Sequence, residues 1–566
     1  MQPRYRWLLP KAIAASDLAA LGLPDHLTAQ VLFNRGLRSR EDVERFLAPE
    51  GFAIESPFSL PGVHEAVALL RWALARRKRV VVYGDYDVDG LSATATMVEG
   101  LTVMDGQAYP YIPNRLETGY GLDPGNIRQI APEADVLVTV DCGIRSLEEV
   151  ALAKKLGLSV IVTDHHLPMQ ELPAADAVVS ARLRPGHEFA DLAGVGIAEQ
   201  VIVALHAVHS RFGSQVLDHS HYLDLVALGT IADVAPLTGV NRHLVRRGLE
   251  AIRQQPRVGI QALLRRASLE QGRLCAWHIA FALAPRLNAT GRLGSSLPSL
   301  ELLMTRDARR ATVLAEQLEH ANATRRAHLE RCLALAHLEL QKQPPEFPCV
   351  FTANDAYPPG IVGLIASRLA EEQNLPAVAV SLEGNIAHGS VRSSAEFNAS
   401  DALDICRDLL SKHGGHSLAA GFTCPSSHLE ELRERLGLLA AQRLNLEDSR
   451  PILQIDAETE LPTASSPIWD WLPTIEPTGC GNPYPIFLSR GVEVVDKQLM
   501  GRDGDHLSLL LVSSSGNMRA VGFRMGDSFA AIAGKLDVVY RLDENEYNGN
   551  KERRLVLLDW QPESST

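Results

Sequence analysis

Paired cysteines, long apolar runs and an excess of basic residues are all missing from this sequence of 566 residues. The seven cysteines are scattered and form no C-x-x-C pair, so we expect neither a disulfide framework nor a zinc knuckle. No apolar run is long enough to span a bilayer, and residues 1–20 lack the apolar core of a secretory signal. These absences favour a cytoplasmic protein without a membrane partner.

The charge balance argues against a surface that is basic all over. The net charge is −13, from 55 basic and 68 acidic side chains, which excludes a general nucleic-acid coat but leaves room for a locally basic groove. Hydrophobic residues make up 46% of the chain, enough for ordinary globular cores. The length predicts about three or four domains.

The most informative stretch is residues 80–95, V-V-V-Y-G-D-Y-D-V-D-G-L-S-A-T-A. Its β-branched run predicts a buried strand, and three acids follow at every second position: Asp85, Asp87 and Asp89. Carboxylates this close repel each other unless a cation lies among them, and oxygen ligands favour magnesium or manganese. The alternative is a solvated Asp-rich turn, because Asp and Gly favour turns in any protein.

Two further apolar runs also end in an acid, V-L-V-T-V-D at Asp141 and V-I-V-T-D at Asp164. Strands that are apolar throughout, separated by helix-length segments, predict a parallel sheet covered on both faces. Such a sheet binds its ligands at the carboxyl ends of its strands, near a change in strand order. Since three strands place acids at that edge, the pattern favours the metal site over the turn.

Two more candidate sites follow the third strand and a later helix. His165 and His166 come directly after Asp164, where an imidazole can bind manganese, although such a pair is more often a surface feature. Asp233 interrupts the apolar segment 223–237, where a carboxylate is costly unless it is paired or metal-bound. The alternative for Asp233 is a helix that ends there and emerges into solvent.

Together these residues resemble the DHH phosphoesterase superfamily. Its four motifs are matched by G-D-Y-D-V-D-G (84–90), T-V-D-C-G (139–143), T-D-H-H (163–166) and G-T-I-A-D-V (229–234), in the order and spacing of the RecJ family of single-strand-specific 5′→3′ exonucleases. The resemblance implies two Mn²⁺ or Mg²⁺ ions held by Asp85, Asp87, Asp89, Asp141, His165 and Asp233. It implies a bridging position for Asp141 and catalytic roles for Asp141, His165 and His166. Many members have His where this chain has Tyr83.

The same resemblance implies contacts to the substrate. The motifs that carry it are I-P-N-R-L-E-T-G-Y-G (112–121), A-P-R-L-N-A-T-G-R (284–292), H-G-S-V-R-S-S (388–394) and K-H-G-G-H (412–416). They give Arg115, Tyr120, Arg286, Asn288, Ser390, Arg392, Gly414, Gly415 and His416 as substrate-binding residues. Without the resemblance, the arginines would be interpreted as solvated surface charges, and Gly-Gly-His as a weak sign of a phosphate-binding helix N-terminus. Pro358 stands where relatives commonly have His, and no contact is assigned to it.

The predicted fold class is α/β. We expect a helical lead-in (1–64), a parallel-sheet DHH domain (65–295), a long connecting helix (296–345), a second, smaller α/β domain of the DHH-associated type (346–448) and a C-terminal OB-like β-barrel (449–566). The helix carries Arg306, Arg309, Arg310, Arg325 and Arg326, which either flank a nucleic-acid channel or form a solvated face. In the barrel, Asn548–Gly549 predicts a two-residue hairpin. Spacing alone fits a structural barrel and a single-strand-binding one equally well.

The function that the resemblance implies is hydrolysis of single-stranded DNA from its 5′ end by two ions about 3.5–4 Å apart, in DNA repair and recombination. Either His166 or water activated by the ions would handle the proton. A single-strand-binding protein and a helicase are the expected protein partners. The alternatives are a DHH phosphodiesterase for short oligoribonucleotides or cyclic dinucleotides, a catalytically inactive replication or repair scaffold, and a plain nucleotide-binding α/β protein.

Overall fold

The computed structural model of the chain describes residues 3–23, 25–114, 121–209, 219–342, 347–393, 396–444, 450–547 and 550–563. The α-helices of four or more residues in the described ranges are α1 (Ala15–Leu21), α2 (His26–Asn34), α3 (Arg40–Leu47), α4 (Val63–Ala75), α5 (Val88–Val103), α6 (Pro124–Ile130), α7 (Leu147–Lys155), α8 (Gly194–His209), α9 (Leu223–Ala232), α10 (Gly239–Gln254), α11 (Val258–Arg266), α12 (Ala284–Leu293), α13 (Leu297–Met304), α14 (Ala308–Lys342), α15 (Val362–Gln373), α16 (Ala399–Ile405), α17 (Leu429–Arg443) and α18 (Ile468–Trp471). The strands are β1 (Arg6–Leu8), β2 (Arg79–Gly84), β3 (Gln107–Tyr111), β4 (Val136–Val140), β5 (Ser159–Thr163), β6 (Ala177–Val179), β7 (Val350–Asn354), β8 (Ala377–Glu383), β9 (Ile386–Arg392), β10 (Lys412–Gly415), β11 (Ala419–Pro425), β12 (Ile452–Gln454), β13 (Ala457–Glu458), β14 (Phe487–Met500), β15 (His506–Ser513), β16 (Gly516–Gly522), β17 (Lys535–Tyr547) and β18 (Asn550–Pro562).

These elements form two compact units. The larger unit comprises Glu55–Ala235 and Arg247–Ser449, and the smaller unit comprises Met1–Ile54, Pro236–Arg246 and Arg450–Thr566. These two units do not divide the chain into the five predicted segments, so the boundaries given above stay predictions. Among the described residues, no helix combines the length and the apolar character that a membrane crossing requires.

The larger unit is built on the predicted parallel sheet, in the strand order β3-β2-β4-β5-β6. The three apolar runs are β2, β4 and β5, and β4 is buried along its whole length. Because β2 pairs with β3 on one side and β4 on the other, the chain changes direction across the sheet at β2. The acids that follow β2 and β4 therefore lie at the switch point, where open α/β sheets bind ligands.

Helices cover both faces of this sheet. On one face, Val81 and Leu137 share a core with Ile127 of α6 and Val150 of α7. On the other, α5 packs against α8 and α9, and its G-L-S-A-T-A-T sequence is buried almost throughout. Small side chains permit this close helix packing, which fixes the first turn of α5 beneath the strand ends.

The predicted connecting helix is interrupted near its start. Helix α13 ends at Met304, and Thr305 is in an extended conformation. The Thr305 hydroxyl accepts a hydrogen bond from the N–H of Asp307, and the Asp307 carboxylate accepts one from the N–H of Arg309, at 3.2 and 2.8 Å. The side chains of Thr305 and Asp307 thus cap a new helix, and the 35-residue α14 begins only at Ala308.

The second sheet of the larger unit has the order β10-β11-β9-β8-β7, antiparallel except for β7 with β8. The expected helix N-terminus after Gly-Gly-His is wrong. Gly414 and Gly415 end β10, and His416 begins a tight turn into β11, in which its N–H donates to the Ala419 carbonyl at 2.8 Å. The apolar segment that follows is a strand because Ala420, Phe422 and Cys424 alternate inward, with the period of a strand.

The smaller unit contains the predicted barrel. Its strands run β14-β15-β16-β18-β17, and pairing of β14 with β17 closes the barrel. Strands β17 and β18 are antiparallel, as a hairpin requires, while Asn548–Gly549 lies outside the described residues. Leu32 of α2 and Phe46 of α3 belong to the same apolar core as the barrel strands, and β1 pairs with β12. The amino-terminal helices therefore fold onto the barrel's core.

Candidate active site

The first acidic loop is held by the start of two helices. Asp87 caps α5, and its carboxylate accepts hydrogen bonds from the N–H groups of Asp89 and Gly90 at 3.0 and 3.1 Å. The buried Asp89 carboxylate accepts from Gly194 and Val195, the first amides of α8, at 2.6 and 2.9 Å. Helix N-termini favour negative charge, so both carboxylates are fixed in position by backbone donors.

Two glycines allow other backbone segments to approach these acids. A Cβ added at Gly194 would lie 2.6 Å from the Asp141 Cβ and 2.7 Å from its Oδ1. A Cβ added at Gly229 would lie 2.6 Å from Oδ1 of Asp89. Gly194 was not among the predicted site residues, and its signal in the sequence is G-V-G (194–196) at the start of an apolar segment.

Backbone strain occurs at two positions beside the acids. Asp141 has a φ of 61°, and Val234, which follows Asp233, has a φ of 60°, in the left-handed region that β-branched residues rarely adopt. Asp233 caps the end of α9, so the helix does end there, as the alternative proposed. Its carboxylate nevertheless reaches His165. Strained residues of this kind cluster at functional sites.

The acids meet around the imidazole of His165. Its Nε2 lies 3.2 Å from Oδ1 of Asp141 and 4.0 Å from Oδ2 of Asp89, and its Nδ1 lies 3.9 Å from Oδ2 of Asp233. Three groups of potential ligand atoms each fall within 4.8 Å of one another: Asp85, Asp87 and Asp141; Asp89, His165 and Asp233; and Asp141, His165 and His166. The structure therefore brings every predicted metal-binding side chain into one cluster, with Asp141 and His165 each shared by two groups.

The second histidine is oriented by the acid that precedes the pair. His166 Nδ1 lies 2.7 Å from Oδ1 of Asp164, and the other Asp164 oxygen accepts a hydrogen bond from the N–H of Ile144 at 3.0 Å. Burial opposes a charged His166, but the hydrogen bond to Asp164 raises its pKa above the ordinary value. The ring is parallel to that of His416, with centroids 6.0 Å apart. This contact joins the two α/β domains of the larger unit at the acidic cluster.

The electrostatics of the cluster favour the binding of a cation. Burial, with Asp87 adding repulsion, raises the pKa of Asp89 to about 7. Burial and the neighbouring Asp89 raise the pKa of Asp233 to about 9, and the pKa of Asp141 is raised well above 3.8 for the same reasons. Burial lowers the pKa of His165 to about 4, which keeps the imidazole neutral.

The donor set fits a divalent cation. The Nε2 atom of His165 is buried and makes no hydrogen bond with any described residue, although a carboxylate oxygen lies close to it. A cation would accept this lone pair and offset the charge of the surrounding carboxylates. Oxygen atoms with one imidazole nitrogen suit manganese and magnesium better than copper.

Tyr83 lies outside this ligand set. Its hydroxyl donates a hydrogen bond to the Gly121 carbonyl at 3.0 Å and accepts one from Asn126 at 3.3 Å, and its ring stacks on Tyr111. The side chain is fully buried in the core beneath the sheet. The tyrosine at this position thus has a structural role in this chain.

Of the four substrate-binding residues predicted in the first domain, two are described by the structure. Arg115 and Tyr120 lie outside the described residues. The Asn288 amide oxygen accepts a hydrogen bond from the N–H of Val88 at 3.1 Å, so this side chain supports the acidic loop. Arg286 forms an ion pair with Glu319 of α14 at 2.5 Å.

In the second domain, Ser390 and Arg392 lie next to the start of α15. The Arg392 guanidinium donates to the Ser390 hydroxyl at 2.7 Å, and a Cβ added at Gly363 would lie 2.7 Å from the same guanidinium. A hydroxyl, a guanidinium and the first amides of a helix suit a phosphate group. Pro358 precedes the short 3₁₀ turn that leads into this helix.

Comparison with protein families gives three matches in chain order. The DHH family, N-terminal domain, matches residues 79–230, the DHHA1 domain matches 347–442 and the RecJ OB domain matches 455–559. The chain is 36% identical over 563 residues to the single-stranded-DNA-specific exonuclease RecJ of Thermus thermophilus, covering 99% of this chain and 79% of that protein. It is 32% identical over 556 residues to the RecJ of Escherichia coli, covering 94% and 95%.

Solved structures give the same relationship. The crystal structure of RecJ in complex with Mn²⁺ from Thermus thermophilus matches with a TM-score of 0.84 at 32% identity, covering 99% of this chain and 80% of that one. The Mg²⁺ complex of the same protein matches with a TM-score of 0.79, covering 99% and 79% at 31% identity. The family matches cover three domains of the chain, and the RecJ relatives match nearly its whole length. The chain therefore belongs to the RecJ family of DHH phosphoesterases.

Proposed function

We propose that the chain is a metal-dependent exonuclease that removes nucleotides from the 5′ end of single-stranded DNA. One observation carries the proposal: side chains that follow the ends of β2, β4, β5 and α9 and are distant in sequence converge around His165, with their ligand atoms close together. An inactive scaffold would have no need of five carboxylates in one largely buried cluster, where their mutual repulsion is costly.

In the proposed mechanism, Asp87, Asp89, Asp141, His165 and Asp233 hold two cations, with Asp85 beside them. When bound, Mn²⁺ or Mg²⁺ lowers the pKa of water and stabilises charge on the phosphate oxygens. Asp164 holds His166 through Nδ1, so Nε2 is the atom at which this ring holds or passes a proton. The raised pKa of His166 suits a proton donor to the departing 3′ oxygen.

The second domain would bind the 5′ phosphate. Ser390 and Arg392 supply a hydroxyl and a guanidinium beside the α15 N-terminus, and Arg115 and Tyr120 complete this site in our proposal. Gly414, Gly415 and His416 contribute the turn that faces His166. We propose that the substrate enters between the two α/β domains of the larger unit and that this passage admits a single strand but not a duplex.

The C-terminal barrel indicates the length of the substrate, and restriction to single strands indicates the protein partners. The barrel of the smaller unit favours long strands over dinucleotides, since OB folds bind single strands by stacking and phosphate contacts. An enzyme confined to single strands needs other proteins to open duplexes and to keep strands apart. We therefore propose a helicase and a single-strand-binding protein as partners, acting in the cytoplasm.

The test uses the purified full chain after treatment with a chelator. Single strands labelled at the 5′ or the 3′ end are incubated with and without Mn²⁺, beside a blunt duplex of the same sequence. We expect immediate release of labelled mononucleotide from the 5′-labelled strand only when Mn²⁺ is present, late release of the 3′ label, and an intact duplex. Early release of the 3′ label would contradict the proposed polarity, and equal rates without metal would contradict the proposed chemistry.

A further inference from the structure

The five arginines of the connecting segment differ in their partners. Arg310 is exposed and forms an ion pair with Glu301 at 2.5 Å. Arg326 lies 3.6 Å from Glu319, which also binds Arg286. These two arginines belong to a solvated helix face, one of the two interpretations of this basic segment.

Arg325 has a different environment. Its guanidinium donates to the Asn322 side-chain oxygen at 2.9 Å, and no carboxylate among the described residues forms an ion pair with it. Its Nε is buried and makes no hydrogen bond with any described residue. Burial and the neighbouring Arg326 lower the pKa of Arg325, so this half-buried cation lacks a counterion within the described chain.

Two further residues of α14 close to Arg325 in sequence have buried polar groups. Asn322 is itself buried, with 3% of its surface exposed, and its amide fixes one edge of the Arg325 guanidinium. One turn further along α14, the Nδ1 atom of His328 is also buried and has no hydrogen bond with the described residues. A buried guanidinium Nε–H and an imidazole nitrogen are two donors or acceptors that water or a ligand must satisfy.

The position of Arg325 along α14 places it between the two α/β domains of the larger unit. On its amino-terminal side, Glu319 binds Arg286 of the first domain. On its carboxyl-terminal side, Cys332 packs in a core with Tyr357 and Ile361 of the second domain. These two domains also meet where the His166 ring is parallel to the His416 ring. Arg325 thus lies on the helix that joins the two α/β domains of the larger unit.

We propose that Arg325 binds a backbone phosphate of the DNA strand, with Asn322 as the positioning residue for its guanidinium. The inference rests on the proposed function and adds to it a phosphate site on the connecting helix. A phosphodiester supplies the negative charge and the acceptor oxygens that Arg325 lacks, and guanidinium groups pair with phosphate through two hydrogen bonds.

The experiment measures binding of fluorescent oligothymidylate by the full chain in chelator, so that no strand is cut. We expect Arg325→Gln to weaken binding about tenfold, as loss of one charged hydrogen-bonding contact does. The slope of log affinity against log salt should fall by about 0.7, the value for one phosphate contact on a single strand. Arg325→Lys keeps the charge and should keep the slope. Arg310→Gln, on the same helix, should change neither quantity.

Kinetics in Mn²⁺ separate this role from a structural one. We expect Arg325→Gln to raise KM and leave kcat within about threefold, because the contact is equally present in the ground and transition states. An unchanged salt slope, or a fall in kcat without a change in KM, would overturn the proposal. Should the Gln variant melt far below the wild type, Arg325→Met, which keeps the packing, is held to the same criteria. An absence of nuclease activity in the wild type would refute the proposed function, while the binding assay would still decide the phosphate site.

Discussion

The most specific prediction concerns Gly194, a residue with no chemistry of its own. Its N–H donates to the Asp89 carboxylate at 2.6 Å, and its missing side chain leaves space for Asp141. In Gly194→Ala, the new Cβ would lie 2.6 Å from the Asp141 Cβ and 2.7 Å from its Oδ1. Ordinary carbon contacts lie near 3.5–4.0 Å, so Asp141 or the start of α8 must move by about 1 Å.

The magnitude follows from two opposing effects. Overpacking of this kind costs about 1–3 kcal/mol of unfolding free energy, while alanine gains up to about 1 kcal/mol over glycine in a helix. The net change in stability is therefore small. A displacement of about 1 Å in a catalytic group can reduce the rate about 100-fold, so activity should fall far more than stability.

The assay compares mononucleotide release in Mn²⁺ with thermal unfolding of the same samples. Gly196→Ala is the matched control, because it lies on the same turn of α8 and its nearest contact is the end of the Leu192 side chain at 3.1 Å. We expect Gly194→Ala to lose about 100-fold in kcat with a normal melting transition, and Gly196→Ala to remain active. Activity of Gly194→Ala within a factor of about two of wild type would refute the interpretation of the packing.

Two further predictions concern pH and Tyr83. The pKa values of Asp89 and Asp233 are raised from 3.8 to about 7 and about 9, so the folded metal-free chain holds protons that the unfolded chain releases. The stability that these groups contribute is present at low pH and is lost as pH rises through these values. We expect Tm without metal to fall as the pH rises from about 4 to about 9, the range between the unfolded and the folded pKa values. Mn²⁺ should raise Tm more at the upper end of this range. A metal-free Tm that rises between about pH 6 and pH 9 would contradict the assignment. Tyr83→Phe leaves the Gly121 carbonyl and the Asn126 amide without their partner, so the free energy of unfolding in denaturant should fall by about 1–2 kcal/mol. The affinity for Mn²⁺ should not change, and a loss of Mn²⁺ affinity would make Tyr83 part of the metal site.

The convergence of the acidic side chains was predictable from sequence because several of these side chains follow from local patterns. A strand buried on both faces must be apolar throughout, and a polar residue can appear only where the strand ends. Asp85, Asp141 and Asp164 mark three such ends, and a parallel sheet aligns them at one edge. The pattern of apolar strands that each end in an acid, together with the parallel order of these strands, therefore places the acids at one edge of the sheet.

Other features depended on contacts that no local pattern specifies. The donors to Asp89 come from Gly194 and Val195, more than one hundred residues away, and the parallel rings of His166 and His416 require two domains to meet. The helix expected after Gly-Gly-His proved to be a strand because period-two burial of Ala420 and Phe422 outweighed the turn signal.

The central claim is that one cluster of acids and His165 holds the cations that the chemistry needs. Its most direct test is equilibrium binding of Mn²⁺, measured by the electron paramagnetic resonance signal of the free ion, for the wild type and for Asp141→Ala. We expect two ions per chain in the wild type, and strongly weakened binding of both in Asp141→Ala, because Asp141 belongs to two of the three ligand groups. Two ions bound with unchanged affinity by Asp141→Ala would contradict the account.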